Sequence, residues 1–327
     1  MKTLVARIYI MCLNEAMQLI GELMMRINKT DLKEMLGLCN ELKSMSLLEQ
    51  CNLQYRIIEG EEYQEEVLNQ LKRIKNDTQI VGTPERTVVW EQGWSENLHY
   101  FRESLDVRDL QPRYFKNKQP YRFKGKFIKS ENYDFQYQLE SVFKKCLFEQ
   151  YAFGCENIYE FGCGTGINLI NLGDLYPEKN LYGYDLTNSS VAILDLLREK
   201  LGYRVVGGTF DFTQPDETVK IKPSSVVFTL AALEQIGGRI HKFVDFLIQN
   251  KVERCVHVEP IVEAYDEDNL LDWMAKEFHM KRNYLHGLLP YLEEKQNSGV
   301  IHIDKVHRPH FGDCNHEGYT VIVWHVV

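Results

Sequence analysis

Hydrophobic and polar positions in the first quarter of the chain repeat with the period of an amphipathic helix. Apolar side chains recur every three or four residues at Leu32, Met35, Cys39 and Leu42. Asp31 is predicted as the N-cap of this helix, and residues 61–75 predict another. We therefore expect residues 1–80 to form a helical N-terminal region, either a dimerisation element that makes a homodimer or a lid.

The next stretch of the chain lacks a clear period. Residues 76–87 are rich in turn formers and are predicted as a linker. An aromatic stretch follows from Trp90 to Phe127, and no secondary structure is assigned to it. We describe 81–133 as a linking aromatic and basic segment, whose aromatic side chains either cover a pocket or mediate dimerisation. Those side chains are Trp90, Trp94, Tyr114, Phe115, Tyr121 and Phe123.

From Asp134 onward, helical patterns alternate with short apolar runs. FQYQLESVFKKCLFEQY, NLINLGDLY and SSVAILDLLREKLG predict helices, whereas NIYEF, NLYGYD, YRVVGG, SSVVFTL and ERCVHVE predict buried strands. Such alternation is typical of parallel βαβ units. GVIHIDKV and GYTVIVWHVV predict two strands with no helix between them, hence an antiparallel pair at one edge. Residues 134–327 are therefore predicted as an α/β domain with a doubly wound, mostly parallel sheet.

Composition limits the class of protein. With 327 residues, 44% hydrophobic and 26% charged, the chain is predicted to be globular and to hold more than one unit. Arg7, Asn14 and Glu15 interrupt the apolar N-terminal run, and no window is long and apolar enough for a bilayer span. The eight cysteines form no CxxC pair, which favours reduced thiols and a cytoplasmic location without membrane contact.

The formal net charge of −9 argues against a dedicated nucleic-acid binder. One basic run departs from this acidic balance: Arg113, Lys116, Lys118, Arg122, Lys124, Lys126 and Lys129. The run is interpreted as a solvated surface, with two alternatives: a contact for an anionic substrate, or a mobile lid.

A glycine-rich run lies where a strand is predicted to end and a helix to begin. It reads Glu160-Phe-Gly162-Cys163-Gly164-Thr-Gly166. Glycines in this position let backbone approach a bound nucleotide closely. The spacing is GxGxG preceded by an acid, whereas a dinucleotide loop is GxGxxG, which disfavours a nicotinamide-dependent oxidoreductase.

This run resembles motif I of the class I S-adenosylmethionine-dependent methyltransferases, whose loop wraps the methionine part of the cofactor. The resemblance covers the last 190 or so residues. It implies a Rossmann-like, seven-stranded sheet with an antiparallel last strand, and S-adenosyl-L-methionine as cofactor. It also implies that Asp185, followed by Leu186, binds the ribose hydroxyls, and that Asp211 and Phe212 contact adenine.

Catalytic groups are expected past the fourth and fifth strands of that domain, beside the crevice. Glu234 follows the fourth strand, and His257 and Glu259 end the fifth. His257 is predicted as general base, with Glu234 or Glu259 orienting it or the substrate; the alternative is a hydrogen-bonded core histidine. The C-terminal histidines fit no zinc spacing, so no metal is predicted and a histidine-containing loop is preferred.

The predicted function is methyl transfer to an oxygen or nitrogen of a small polar metabolite: a sugar, an amino acid or a specialised metabolite. No D/N-P-P-Y type signature stands near the fourth strand, where FTLAALEQ is found. Two alternatives remain open. One is a macromolecular methyltransferase acting on RNA or protein; the other is a non-catalytic regulatory protein that binds S-adenosylmethionine.

Overall fold

A seven-stranded sheet forms the centre of the molecule in the computed structural model, which describes residues 24–111 and 120–327. The strand order is β10-β12-β9-β8-β5-β6-β7. The five strands β9-β8-β5-β6-β7 pair in parallel with their neighbours in this order. Strand β12 is antiparallel to both β9 and β10. The predicted mostly parallel sheet with an antiparallel last strand is therefore confirmed. The strands are β5 (Asn157–Phe161), β6 (Asn180–Asp185), β7 (Val205–Thr209), β8 (Ser225–Leu230), β9 (Cys255–Glu259), β10 (Ile301–His307) and β12 (Thr320–Val326).

Helices cover both faces of this sheet. Successive strand residues point to opposite faces, so Ile158 packs in one hydrophobic core and Tyr159 in the other. The first core takes apolar residues of α4 (Phe135–Ala152), α5 (Ile167–Leu175) and α6 (Asn188–Leu201). The second takes those of α7 (His241–Gln249) and α9 (Leu288–Asn297), and α8 (Leu270–Lys281) lies between them in the chain. Apolar side chains on both faces explain why these strands appear as unbroken apolar runs.

A second, antiparallel sheet was not predicted. Its order is β1-β2-β4-β3-β11, so it joins the N-terminal region to a strand near the C-terminus. Residues 54–57 form a strand instead of a helix because Ile57 pairs with Ile128, and tertiary pairing overrides local preference. The strands are β1 (Met25–Arg26), β2 (Gln54–Ile57), β3 (Tyr121–Phe123), β4 (Lys126–Lys129) and β11 (Phe311–Asp313).

The helical prediction for the N-terminal region is correct in α1 (Lys29–Leu36) and α2 (Gly60–Asn76). Asn28, rather than Asp31, is the N-cap of α1: its side chain accepts from the backbone N–H of Thr30 and Asp31, and the Asp31 carboxylate accepts from the Asn28 N–H. Residues 43–50 form a 3₁₀ helix. Residues 1–23 lie outside the described part of the chain.

The helix α3 (Pro84–Ser104) occupies much of the segment that shows no period in the sequence. Pro84 stands in its first turn, so the predicted linker ends at residue 83. A 3₁₀ helix at Val107–Leu110 follows. No helix in 24–111 or 120–327 is long and apolar enough to cross a membrane.

Candidate active site

The loop between β5 and α5 depends on its glycines. Gly162, Gly164 and Gly166 all have positive φ, at 77°, 51° and 75°. L-residues with a side chain rarely adopt this conformation. A Cβ at Gly162 would also overlap the Ala232 side chain, which follows β8. The loop backbone is therefore held open toward the carboxyl edge of the sheet, where nucleotides bind in folds of this kind.

Asp185 ties this loop to the end of β6. One carboxylate oxygen accepts from the Gly164 N–H at 2.8 Å, and the other accepts from the Thr187 N–H and hydroxyl at 3.1 and 2.8 Å. Burial raises the pKa of Asp185, while these three donors act in the opposite direction. Each carboxylate oxygen has two lone pairs, so one acceptor position remains, on the oxygen that the Gly164 N–H contacts. Asp185 lines a cavity and can accept a further hydroxyl donor there.

The cavity beside Asp185 has a volume of about 370 Å³. Six of the predicted cofactor-binding residues line it: Gly162, Gly164, Asp185, Leu186, Asp211 and Phe212. Asp211 is fixed by the Thr213 N–H and hydroxyl, both at 2.7 Å, and Phe212 packs edge-on against Phe243. The Leu186 side chain is 45% exposed. The structure thus brings together residues from three successive strand ends.

The remaining three predicted cofactor residues lie around the loop. Gly166 begins α5, and Cys163 lines a neighbouring cavity. Glu160 is buried beneath the loop, where Asn168 donates to its Oε1 at 2.7 Å. The Glu160 Oε2 and the Asn168 Oδ1 are buried without a partner among the described residues. Burial raises the pKa of Glu160 to about 8.

Helix α3 covers the crevice. Trp90 and Trp94 stack with ring centroids 5.2 Å apart, and both line the 370 Å³ cavity. The Glu91 carboxylate anchors the helix, because it accepts from the Asn188 and Ser189 N–H groups at 2.9 and 3.2 Å. These groups belong to the first turn of α6, where backbone N–H groups lack helical partners and a negative charge is favoured. The possibility that Trp90 and Trp94 cover a pocket was stated from the sequence, whereas the contact of Glu91 with α6 was not predicted.

A second cavity, of about 570 Å³, adjoins the first. The residues that line both cavities mark the boundary between them: Trp90, Trp94, Gly162, Gly164, Ala231 and Gln235. Other walls of the second cavity come from α4, from α5 and from residues 311–319, which are β11 and the loop after it. The last of these walls was not predicted, since no spacing in the sequence connects this loop to the glycine-rich run.

Glu234 lines the second cavity. It follows β8 in a short 3₁₀ helix, and its Oε1 accepts from the Gln235 side chain at 2.8 Å. Burial is the main cause that raises the pKa of Glu234 to about 7, and the nearby Asp313 adds to it. A carboxylate that titrates near neutral pH is suited to accept a proton from a substrate.

His257 and Glu259 point into the core and line neither cavity, which corrects the expectation that they face a substrate. The His257 ring is fully buried against Trp324, with its Nδ1 2.9 Å from the Thr229 hydroxyl. Burial lowers the pKa of His257 to about 3, so the ring stays neutral. Glu259 is fully buried and accepts from the Ala232 N–H at 3.1 Å, and burial raises its pKa to about 8. The position of His257 fits the alternative of a hydrogen-bonded core histidine, although the His257 Nε2 and the Glu259 Oε2 are buried without a partner among the described residues.

The C-terminal histidines are dispersed. His302 and His325 are cross-strand neighbours on β10 and β12, whereas His316 lines the second cavity. Across 24–111 and 120–327, no group of three or more His, Cys, Asp or Glu side chains is arranged to hold a metal ion.

Three of the four described residues of the basic run make intramolecular contacts, whereas Lys126 is exposed. Arg122 is buried and donates to the Cys314 carbonyl. Lys124 pairs with Asp31 and Glu34, and Lys129 with Glu62. Arg113, Lys116 and Lys118, with Tyr114 and Phe115, lie outside the described residues.

The sheet order and the crevice at its carboxyl edge define a Rossmann-like fold, the fold implied by the resemblance to class I methyltransferases. No protein-family model matches the chain, and neither does any curated protein sequence.

Among solved structures, the chain is similar in fold to human N-acetylserotonin methyltransferase in complex with SAM, at 10% identity and a TM-score of 0.45 over 80% of this chain and 67% of that one. It is also similar to the mitomycin 7-O-methyltransferase MmcR, at 10% identity and a TM-score of 0.42 over 80% and 72%. A protein solved in connection with the conversion of a disulfide bond into a thioacetal group during echinomycin biosynthesis shares 13% identity, with a TM-score of 0.40 over 56% and 80%. Similarities this low do not transfer an activity or a substrate.

Proposed function

We propose that the chain is an S-adenosylmethionine-dependent methyltransferase that acts on a small polar molecule. The observation that carries the proposal is the convergence of Gly164, Asp185, Asp211 and Phe212 on one cavity of about 370 Å³. A carboxylate suits the paired ribose hydroxyls, and a carboxylate beside an aromatic ring suits the amine and face of adenine.

The other end of the cofactor also has suitable partners. The unpartnered oxygens of Glu160 and Asn168 lie under the glycine-rich loop, and Asn168 lines the second cavity. Buried acceptors without a hydrogen bond are costly, and an ammonium group supplies donors for both. The methionine ammonium of the cofactor meets this requirement, directly or through a water molecule.

When bound, the cofactor supplies an activated methyl group on a sulfonium sulfur. The chain holds the acceptor in line with that methyl and removes the acceptor's proton. Glu234 is the proposed proton acceptor, because it lines the second cavity and titrates near neutral pH. Helix α3, with Trp90 and Trp94, limits the access of water to the methyl group and to the acceptor.

Fewer observations favour the alternative of a macromolecular substrate. The described cations at positions 122, 124 and 129 contact this chain's own carbonyl or carboxylate groups. A non-catalytic cofactor-binding protein would have the same first cavity, and turnover separates that alternative from the enzyme.

The first experiment is calorimetric titration with S-adenosylmethionine, S-adenosylhomocysteine and NADH. We expect the first two to bind and NADH not to bind. Asp185→Asn weakens cofactor binding by at least about tenfold, because the charged acceptor for the ribose is lost. Asp304→Asn, on the exposed β10 edge, serves as the matched control. Equal affinity of wild type and Asp185→Asn would contradict the assignment of the cavity.

The second experiment addresses turnover. Once an acceptor is found, Glu234→Gln should lower kcat by about 10²–10⁴-fold while cofactor affinity stays unchanged. Cofactor binding without methyl transfer to any sugar, amine or amino acid in a screen would favour the regulatory alternative.

A further inference from the structure

The second cavity has the position and size of an acceptor site, an inference that rests on the proposed function. It meets the cofactor cavity at Trp90, Trp94 and the glycine-rich loop. Its volume of about 570 Å³ is within the range of roughly 300–1,000 Å³ that holds small ligands. The chemistry of its walls therefore determines which molecule can receive a methyl group.

When Glu234 is ionised, as a proton acceptor must be, the charges on these walls cancel. Of the described residues that line the cavity, three are cationic and three are acidic: Arg73, Lys144, Arg282, Glu140, Glu234 and Asp313. A site built for a carboxylate or phosphate needs an excess of cations, and a site built for an ammonium needs an excess of carboxylates. Neither excess is present.

Most of these charges are also occupied by partners in the chain. Lys144 lies 3.6 Å from the Glu140 carboxylate, and Arg282 pairs with Asp77 at 2.6 Å. Asp313 accepts from the Asn315 and His316 N–H groups at 2.7 and 3.1 Å. An ionic acceptor would have to break such contacts or enter without a counter-charge, and both cost free energy.

Glu234 lies beside the boundary between the two cavities, and its described hydrogen-bond partner is the neutral side chain of Gln235. Arg73 likewise donates to a neutral group, the Asn315 Oδ1, at 2.8 Å. Because the pKa of Glu234 is raised to about 7, it exists in both protonation states near neutral pH. It can therefore accept or donate a hydrogen bond to an uncharged hydroxyl group.

Uncharged polar and aromatic side chains fill much of the remaining wall. Gln136, Ser141 and Asn171 contribute amide and hydroxyl groups, and Tyr284 and Tyr319 contribute aromatic rings. Hydroxyl groups both donate and accept, so they match a wall of mixed donors and acceptors better than apolar rings or single charges do. Aromatic faces pack against the C–H surface of a sugar ring.

We propose that the second cavity binds an uncharged, polyhydroxylated methyl acceptor, a monosaccharide, and that one of its hydroxyl oxygens is methylated. The acceptor oxygen forms the new C–O bond while the methyl–sulfur bond breaks and its electron pair stays on sulfur. The hydroxyl proton passes to the Glu234 carboxylate, so charge and atoms balance.

Binding tests this independently of turnover. The probes are matched sets of methyl glycosides of glucose, galactose, mannose and rhamnose, with the 2-amino and uronic acid counterparts of the first three, studied by saturation-transfer NMR on protein loaded with S-adenosylhomocysteine. We expect at least one uncharged glycoside to bind at least roughly tenfold more tightly than its charged counterparts. Tighter binding of an amine or a uronate, or no binding of any uncharged glycoside, would overturn the proposal.

Charge variants sharpen the test. Lys144→Met leaves Glu140 without its cation and gives the cavity a net negative charge. The affinity for the amino sugar relative to the uncharged glycoside should therefore rise by roughly tenfold. Glu140→Gln should instead raise the relative affinity for the uronate. Lys222→Met, an exposed lysine outside both cavities, is the control.

Unchanged relative affinities for the charged and uncharged glycosides in both cavity variants would also overturn the proposal. If the wild-type protein does not bind S-adenosylhomocysteine at all, the proposed function itself fails.

Discussion

The indole of Trp94 lies directly over the α-carbon of Gly164. A Cβ placed on that glycine would come within 3.1 Å of the Trp94 ring. The helix that precedes the α/β domain in sequence is therefore in contact with the backbone that wraps the proposed cofactor. We therefore expect entry of a cofactor and the position of α3 to be coupled through this contact.

Gly164→Ala should weaken cofactor binding by more than tenfold and destabilise the fold by about 1–3 kcal/mol. The new methyl group meets Trp94, and the backbone at φ 51° disfavours a side chain. Calorimetry and chemical denaturation measure the two effects. Gly202→Ala is a matched control, because Gly202 also has positive φ but has open space around it. It should destabilise without loss of affinity; equal loss of affinity in both variants would contradict the contact.

Glu91→Gln should loosen α3. The variant loses the charge that lies against the first turn of α6, and we expect a cost of about 0.5–2 kcal/mol. Faster hydrogen exchange in residues 84–104 measures this directly. Glu103→Gln, at an exposed position near the end of the same helix, should leave exchange unchanged.

His257→Gln should destabilise the protein by about 2–4 kcal/mol while leaving the pH dependence of turnover unchanged. The substitution disturbs the contact with Thr229 and the packing on Trp324. Thr229→Val removes the hydrogen bond between Thr229 and His257 but keeps the histidine ring, so it should reproduce part of the loss of stability. A displaced pH profile in either variant would bring His257 back into the chemistry.

The buried carboxyl of Glu259 makes stability depend on pH. Its pKa is about 8 in the folded protein, against 4.5 as the usual value. Between those values the folded state binds more protons than the unfolded state, so the free energy of unfolding falls as pH rises.

Urea denaturation at about pH 6 and about pH 9 should therefore show lower stability at the higher pH. Glu259→Gln, which cannot ionise, should reduce that difference by roughly 1–3 kcal/mol. Glu199→Gln, on the exposed side of α6, should not change it. A difference of the same size in all three proteins would contradict the assignment.

The sequence was sufficient to predict the large sheet, because its strands are short apolar runs that alternate with segments of helical period, and the resemblance to class I methyltransferases implied seven strands. The small sheet could not be predicted in this way. Its strands are two to four residues long, and they exist through pairings such as Phe123 with Phe311, which are distant in the chain. Local preference carries no information about such partners.

The predicted site shows the same limit. Asp185 and Asp211 were recognisable through the resemblance to class I methyltransferases, which implies an acid at or just after the end of each of these two strands. His257 lies in the middle of β9, and helices cover both faces of the sheet there, so its side chain is buried in the core. Glu140, Lys144 and Asp313 form the second cavity through tertiary packing alone, so no motif marks them.

Strand β11 has a consequence for the order of events during synthesis. Residues 311–319 complete the second cavity, and the first three of them, strand β11, pair with β3, nearly 200 residues earlier in the chain. The glycine-rich run, Asp185 and Asp211 all leave the ribosome well before that wall exists. A nascent chain can thus assemble its nucleotide crevice first and gain a place for the acceptor only when the last strands have been translated.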